Sequence, residues 1–346
     1  MKTLLELFPT VQGRVVSPVL IALGAPWPVV QMIQALRQTQ PDCEVTCFQF
    51  DTFQANRLRD KLTDNGVVAT VVTAPDLWDL PATFNTVLFP AAAFTDLQLK
   101  LDVVEQGFHV LREGGLFISL SEYEKDTQFA KWHKKVFGKC GESPTSEAGM
   151  AFWSVRGEDQ PRRRHEVNFH AKLGDAPSMD FLARPGVFSY GQLDNGSRAL
   201  VEVADIRPGD HVLDLGSGSG AVGCLASTKS GPKGHTTFID SNLRAMQLSR
   251  HNAEANAIPN AHFVASANME GLTPDGYDVI LANPPYYGDS IVARLFIMQS
   301  RDLLKRGGRF CVVSKMPTAV VPLIFEAFGE CDVIENRGYT IVVATV

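Results

Sequence analysis

The sequence predicts an α/β protein of two tandem domains, the second keeping a complete ligand-binding edge and the first a degraded copy of it. Three observations carry this expectation. Residues 212 to 223 read VLDLGSGSGAVG, an apolar run that enters a turn bearing Gly216, Gly218 and Gly220 and leaves it in helix-forming residues. The run YDVILA, Tyr277 to Ala282, reads as a buried strand that delivers Asn283, Pro284, Pro285, Tyr286 and Tyr287 to its carboxyl end, the edge where open α/β sheets bind ligands. Segments of the first half also recur in the second at a common offset of 193 residues: Phe84 in FNTVLFPAA answers Tyr277, Gly114 answers Gly307, and Val19 and Leu20 answer Val212 and Leu213.

Taken in order, the first copy alternates strand runs with helical patterns at Val29 to Leu36 and Phe53 to Leu62, and its CFQFD, ending at Asp51, answers TTFID, ending at Asp240. Its chemistry is gone. Where the second copy has LDLGSGSG it has LIALGAPWP, and where the second has NPPY it has Phe89, Pro90, Ala91 and Ala92. From Gly138 to Asp180 the composition turns to Gly, Pro, Ser and charge, which places a boundary between a first domain of residues 1–160 and a second of 161–346. Val167 to Lys172 alternates as a short strand would, and His165 and His170 lack the acidic or cysteine neighbours of a ligand set.

In the second copy a helix is expected from Asn195 to Ala204, with Asp194 or Asn195 as its N-cap. Leu243 to Asn256 and Ile291 to Leu304 read as helices, Arg309 to Ser314 as a strand, and Tyr339 to Val346 as a late strand. Glycine suits the turn after Leu215 because the backbone must bend with positive φ and admit a ligand to main-chain N–H groups. Asp240, at the end of the next strand, can accept both hydrogen bonds of a ribose diol. The spacing GSGSG departs from the G-x-G-x-x-G of dinucleotide sites, so S-adenosylmethionine suits the turn better than NAD. Two prolines after Asn283 hold the loop extended. The Asn283 carbonyl and the Pro284 main-chain carbonyl then form a rigid pair of acceptors for a planar NH2 group, with Tyr286 as a stacking face.

Bulk properties bound the rest. At 346 residues and 45% apolar content the chain can build two full cores. The six cysteines form no C-x-x-C pair and no zinc set. A net charge of −6 argues against nonspecific coating of nucleic acid, so an RNA-binding surface has to concentrate its cations. Two clusters do so: Lys131, Lys134 and Lys135 in KWHKKVFGK, readable equally as a solvated helix face, and Arg162, Arg163 and Arg164 in PRRRH, readable as a charged linker. No apolar stretch reaches membrane-spanning length and the start is not a convincing secretion signal, so a cytoplasmic protein is expected.

LDLGSGSG, FIDSN and NPPYY, in this order, resemble the class I S-adenosylmethionine-dependent methyltransferases that modify exocyclic or amide nitrogens. RPGVFSYGQLDNGS, from Arg184 to Ser197, resembles the segment before the cofactor domain in bacterial ribosomal RNA guanine-N2 methyltransferases. The resemblance implies two Rossmann-like methyltransferase domains, the N-terminal one degenerate and serving folding or RNA binding. It implies S-adenosylmethionine as cofactor, held by Phe188, Asp194, Asp214, Gly216, Ser217, Gly218, Gly220, Asp240, Asn268 and Asn283. Catalysis falls to Asn283, Pro284, Pro285 and Tyr286, and the substrate is ribosomal RNA or a ribosomal subunit. Asn268 would read the adenine amine, with a plain turn as its other reading. The family commonly has Phe and His after the two prolines, where this chain has Tyr286 and Tyr287. Other amino-group acceptors, protein glutamine or adenine N6, and a non-catalytic RNA-binding factor are the alternatives.

Overall fold

A computed structural model describes residues 2–284 and 290–346. The chain divides into two compact units, Met1–His165 and Glu166–Val346. The first unit carries β1 (Val19–Ala22), β2 (Val45–Gln49), β3 (Thr70–Thr73), β4 (Phe84–Ala91), β5 (Leu111–Ser121), β6 (Gly141–Glu142) and β7 (Met150–Val155), and the second β8 (Val167–Ala171), β9 (Met179–Ala183), β10 (His211–Leu215), β11 (His235–Asp240), β12 (Ala261–Ala265), β13 (Tyr277–Ala282), β14 (Leu304–Ser314), β15 (Asp332–Asn336) and β16 (Tyr339–Thr345).

Each unit holds a seven-stranded sheet of one topology: β3-β2-β1-β4-β5-β7-β6 in the first and β12-β11-β10-β13-β14-β16-β15 in the second. The likeness extends to individual residues. Val19 pairs with Thr86 as Val212 pairs with Val279, and the register slips between Phe84 and Thr86 as it does between Tyr277 and Val279. Gly114 and Gly307 both adopt positive φ, at 76° and 77°. Matching register, bulge and turn at the offset read from the sequence is what duplication of one domain produces.

In the Gly- and Pro-rich stretch after Gly138, β6 and β7 complete the first sheet, with β7 antiparallel to β5. Val167–Ala171 is a strand as expected, and it forms a hairpin with β9, which sequence patterning missed.

The second sheet is parallel from β12 through β14 and antiparallel at β16 and β15. Helices at Ala221–Ser230, Leu243–Ala255, Ser290–Leu303 and Pro317–Phe328 follow the strands, and the central strand β13 is buried along nearly its whole length, as a strand covered on both faces must be. Strand order reverses between β10 and β13, and a crevice opens at the carboxyl end of such a switch point. Among the described residues no helix is long and apolar enough to cross a membrane.

Candidate active site

The glycine turn is built as its sequence demands. Gly216, Gly218 and Gly220 have φ of 78°, 55° and 79°, a region L side chains enter at a cost. The N–H groups of Gly216 and Ser217 both bond the Ile239 carbonyl, and the Gly218 N–H donates to Asp240 Oδ2 at 2.9 Å. The turn is thus laced to the end of β11.

Helix 243–255 braces it from below. The Ser249 hydroxyl donates to the Gly218 carbonyl at 3.1 Å and lies 3.0 Å from the Ser217 hydroxyl, and Asn252 Nδ2 donates to the Ser219 carbonyl at 2.8 Å. Sequence reasoning missed both residues. Their signal was there: two polar side chains three apart among the buried residues of an amphipathic helix. Asn242 caps this helix through the Arg244 and Ala245 N–H groups, so Asp240 is not needed as its cap. In the first unit Asp51 is itself the cap of helix 52–64, accepting from Phe53 and Gln54.

A small cleft, open to solvent, lies above the turn, lined among others by Phe188, Asp194, Ser197, Asp214, Ser217 and Asn283. Asp214 is fully buried and its carboxyl accepts the Gly223 N–H at 2.8 Å. Burial pushes its pKa up to about 7, opposed by the Gly223 bond and reinforced by the neighbouring Asp240 charge. Asp194 caps helix 195–203 by accepting the Ser197 N–H at 3.0 Å. Asn283 Nδ2 donates to Asp194 Oδ2 at 3.2 Å and to Ser197 Oγ at 2.9 Å. The N-cap and the ligand-edge readings of Asp194 therefore meet in one side chain.

Phe188 stands exposed at the cleft. The loop before it is pinned to the helix that follows Asp240: Asn242 Nδ2 donates to the Gly186 carbonyl at 3.0 Å, and Arg244 to the Pro185 carbonyl.

A family profile, the methyltransferase small domain, matches residues 178–343. The chain is 32% identical over 193 residues to the ribosomal RNA small subunit methyltransferase C of Pseudomonas entomophila, covering 54% of this chain and 57% of that protein. It is 30% identical over 159 residues to the protein of the same name from Psychromonas ingrahamii, covering 45% of each. A solved structure of the T. thermophilus 16S rRNA N2 guanine methyltransferase, in complex with AdoMet and guanosine, superposes with a TM-score of 0.76 over 98% of this chain and 91% of that one, at 22% identity. Over residues 178–343 the chain matches the methyltransferase small domain, and the relatives it resembles are ribosomal RNA small subunit methyltransferases. It spans about half the length of the curated relatives it matches, while the structural likeness, which is one of fold, runs through both units.

Of the residues the sequence resemblance singles out, the structure brings Phe188, Asp194, Asp214, Gly216, Ser217 and Asn283 to one cleft, with Gly218 and Gly220 in the turn and Asp240 at the end of β11 bonded to it. It does not bring Asn268 there. That side chain is exposed and engaged locally, accepting from Ser266 Oγ at 3.1 Å and donating to Glu270 Oε1 at 2.9 Å. Pro284 is buried; Pro285 and Tyr286 lie outside the described residues.

The same edge of the first unit is closed. Pro90, the counterpart of Asn283, packs so tightly on Gly24 that a Cβ there would lie 2.7 Å from the proline ring. Leu23 keeps the positive φ of its counterpart Gly216, at 59°, but helix 26–39 begins with Pro26 and Pro28, which have no N–H to offer an anion.

The cation clusters divide. Lys131, Lys134 and Lys135 are exposed, with Lys135 3.6 Å from Glu105. On the opposite face of that helix His133 is fully buried between the Ser119 and Ser154 hydroxyls. Arg162 and Arg164 lie over the Trp78 ring at 5.6 and 5.9 Å, and His165 stands 3.6 Å from Glu105, so part of PRRRH packs on the first unit. Among the described residues no group of three or more His, Cys, Asp and Glu could hold a metal ion.

Proposed function

We propose that the second unit methylates the exocyclic N2 of a guanine in ribosomal RNA. The observation that carries this reading is Asn283 at the switch point, lining the cleft with its NH2 bonded to Asp194 and Ser197; its Oδ1 is read as the acceptor for the amine. S-adenosylmethionine, when bound, supplies the methyl group. The turn from Gly216 to Gly220 fits it, its three glycines lacking Cβ atoms and adopting positive φ, with Asp240 as the ribose partner and Phe188 beside it.

The work of the chain is positioning. Asn283 Oδ1 and the Pro284 carbonyl accept the two N–H bonds of the amine, which turns the nitrogen lone pair out of their plane. As positive charge develops on that nitrogen the two carbonyl dipoles, already oriented, stabilise it. A strong base is unnecessary, since the alkylated amine is acidic enough to lose its proton to water. Tyr286 serves as the stacking face for the base, much as flipped bases are held elsewhere. Lys131, Lys134, Lys135 and the arginines 162 to 164 contact phosphate, the first unit contributes RNA contact or folding support, and a ribosomal substrate sets the enzyme in the cytoplasm.

The test is transfer of labelled methyl from S-adenosylmethionine to ribosomal RNA and to separated ribosomal subunits from unmethylated stock, followed by digestion to nucleosides. N2-methylguanosine supports the reading. Label in another nucleoside or in protein, or no label despite measurable cofactor binding, overturns it.

A further inference from the structure

An asparagine side chain has two orientations, related by a half-turn of the amide, that exchange its acceptor for its donor. Which one faces a substrate decides whether the site takes N–H groups or rejects them. At Asn283 the choice is made by two neighbours at one helix start. Nδ2 donates to Asp194 Oδ2 and to Ser197 Oγ, and among the described residues no donor meets Oδ1. A carboxylate can only accept. A flipped Asn283 would set its oxygen against Asp194 Oδ2 and lose both bonds.

We propose that Asp194 and Ser197 are positioning residues that hold the Asn283 amide in the one orientation presenting a carbonyl to the cleft, and thereby make the site selective for an N–H donor over an acceptor edge of a base. The inference rests on the reading of Asn283 as the amine's acceptor.

Local structure supports it independently. Both acceptors come from one helix start, Asp194 as N-cap and Ser197 three residues on, and Asp194 Oδ2 is anchored by the Ser197 N–H at 3.0 Å. Gly196 makes room for this arrangement, since a Cβ there would lie 2.9 Å from Asp194 Oδ2 and 2.9 Å from the Tyr339 ring. Ser197 is buried, so water does not readily replace its hydroxyl as the second acceptor.

The experiment compares Ser197→Ala and Ser197→Thr with the wild-type chain in methyl transfer, cofactor affinity and thermal melting. Loss of a buried hydrogen bond that orients a catalytic group is expected to lower kcat about tenfold or more in Ser197→Ala, with cofactor Kd changed less than about threefold and kcat largely restored in Ser197→Thr. A lower melting temperature with kcat of the folded protein unchanged overturns the proposal. A second readout needs no turnover: hydrogen exchange of the Asn283 side-chain NH2 in protein labelled with 15N asparagine, assigned by its absence in Asn283→Asp. It should be slow in the wild type and about tenfold faster in Ser197→Ala. Equal exchange overturns the orientation, whereas protected exchange without any methyl transfer to ribosomal RNA would sink only the substrate reading.

Discussion

Gly220 and Ser249 meet backbone to backbone: a Cβ added to Gly220 would lie 2.9 Å from the Ser249 Cα. The contact sets how low the glycine turn sits on helix 243–255, and so how deep the cleft above it is. Gly220→Ala meets both this wall and a φ of 79°. It is expected to cost about 1–3 kcal/mol, read as a lower midpoint in urea unfolding, and to weaken S-adenosylmethionine binding in calorimetry.

Asn283→Ala removes the acceptor but leaves the glycine turn and Asp240 in place. Cofactor Kd should stay within a few-fold while turnover falls by about 10²-fold or more, the scale of losing one preorganised dipole. Equal loss of cofactor affinity and turnover would show that Asn283 serves binding instead.

Asp214 makes the pH dependence of stability testable. Burial raises its folded pKa from 3.8 to about 7, so between these values the folded state holds a proton that the unfolded state has lost. Its contribution is therefore fully present below the unfolded value and is lost as pH rises through the folded one. Asp214→Asn keeps an acceptor for the Gly223 N–H and does not titrate. Relative to the wild type, the variant should gain stability from pH 4 to pH 8, by no more than about 4 kcal/mol, the linkage ceiling for such a shift. A pH-independent difference in unfolding free energy would count against it.

Lys131 and Lys134 project from the face of their helix opposite buried His133. If both contact phosphate, replacing them with alanine lowers affinity for ribosomal RNA and reduces the slope of log K against log salt by about 2. An unchanged slope would return them to a solvated surface.

The repeat was readable because strand pairing constrains sequence strongly: one offset relates β1, β4 and β5 to β10, β13 and β14, together with the glycines at 114 and 307 and the register slip after Phe84 and Tyr277. What sequence patterning missed was set by tertiary contact. β15 is exposed and paired on one side only, so it carries no apolar alternation to detect. Leu23 adopts positive φ without glycine, because the surrounding duplicate fold imposes the turn. Asp194 could be read as cap or as site residue, and it is a cap through Ser197 that also holds Asn283, a conjunction no spacing rule reports. Asn268 fits the position expected of an adenine reader, yet Ser266 and Glu270 take up its amide.

The packing of Pro90 on Gly24 also bears on how the first unit can change. Any side chain at position 24 collides with the proline ring, and a residue at 90 able to accept a hydrogen bond would face a turn with no room remade for a ligand. Position 24 and position 90 are thus coupled, and a change at one has to be met by a change at the other before this edge can open as the second unit's does.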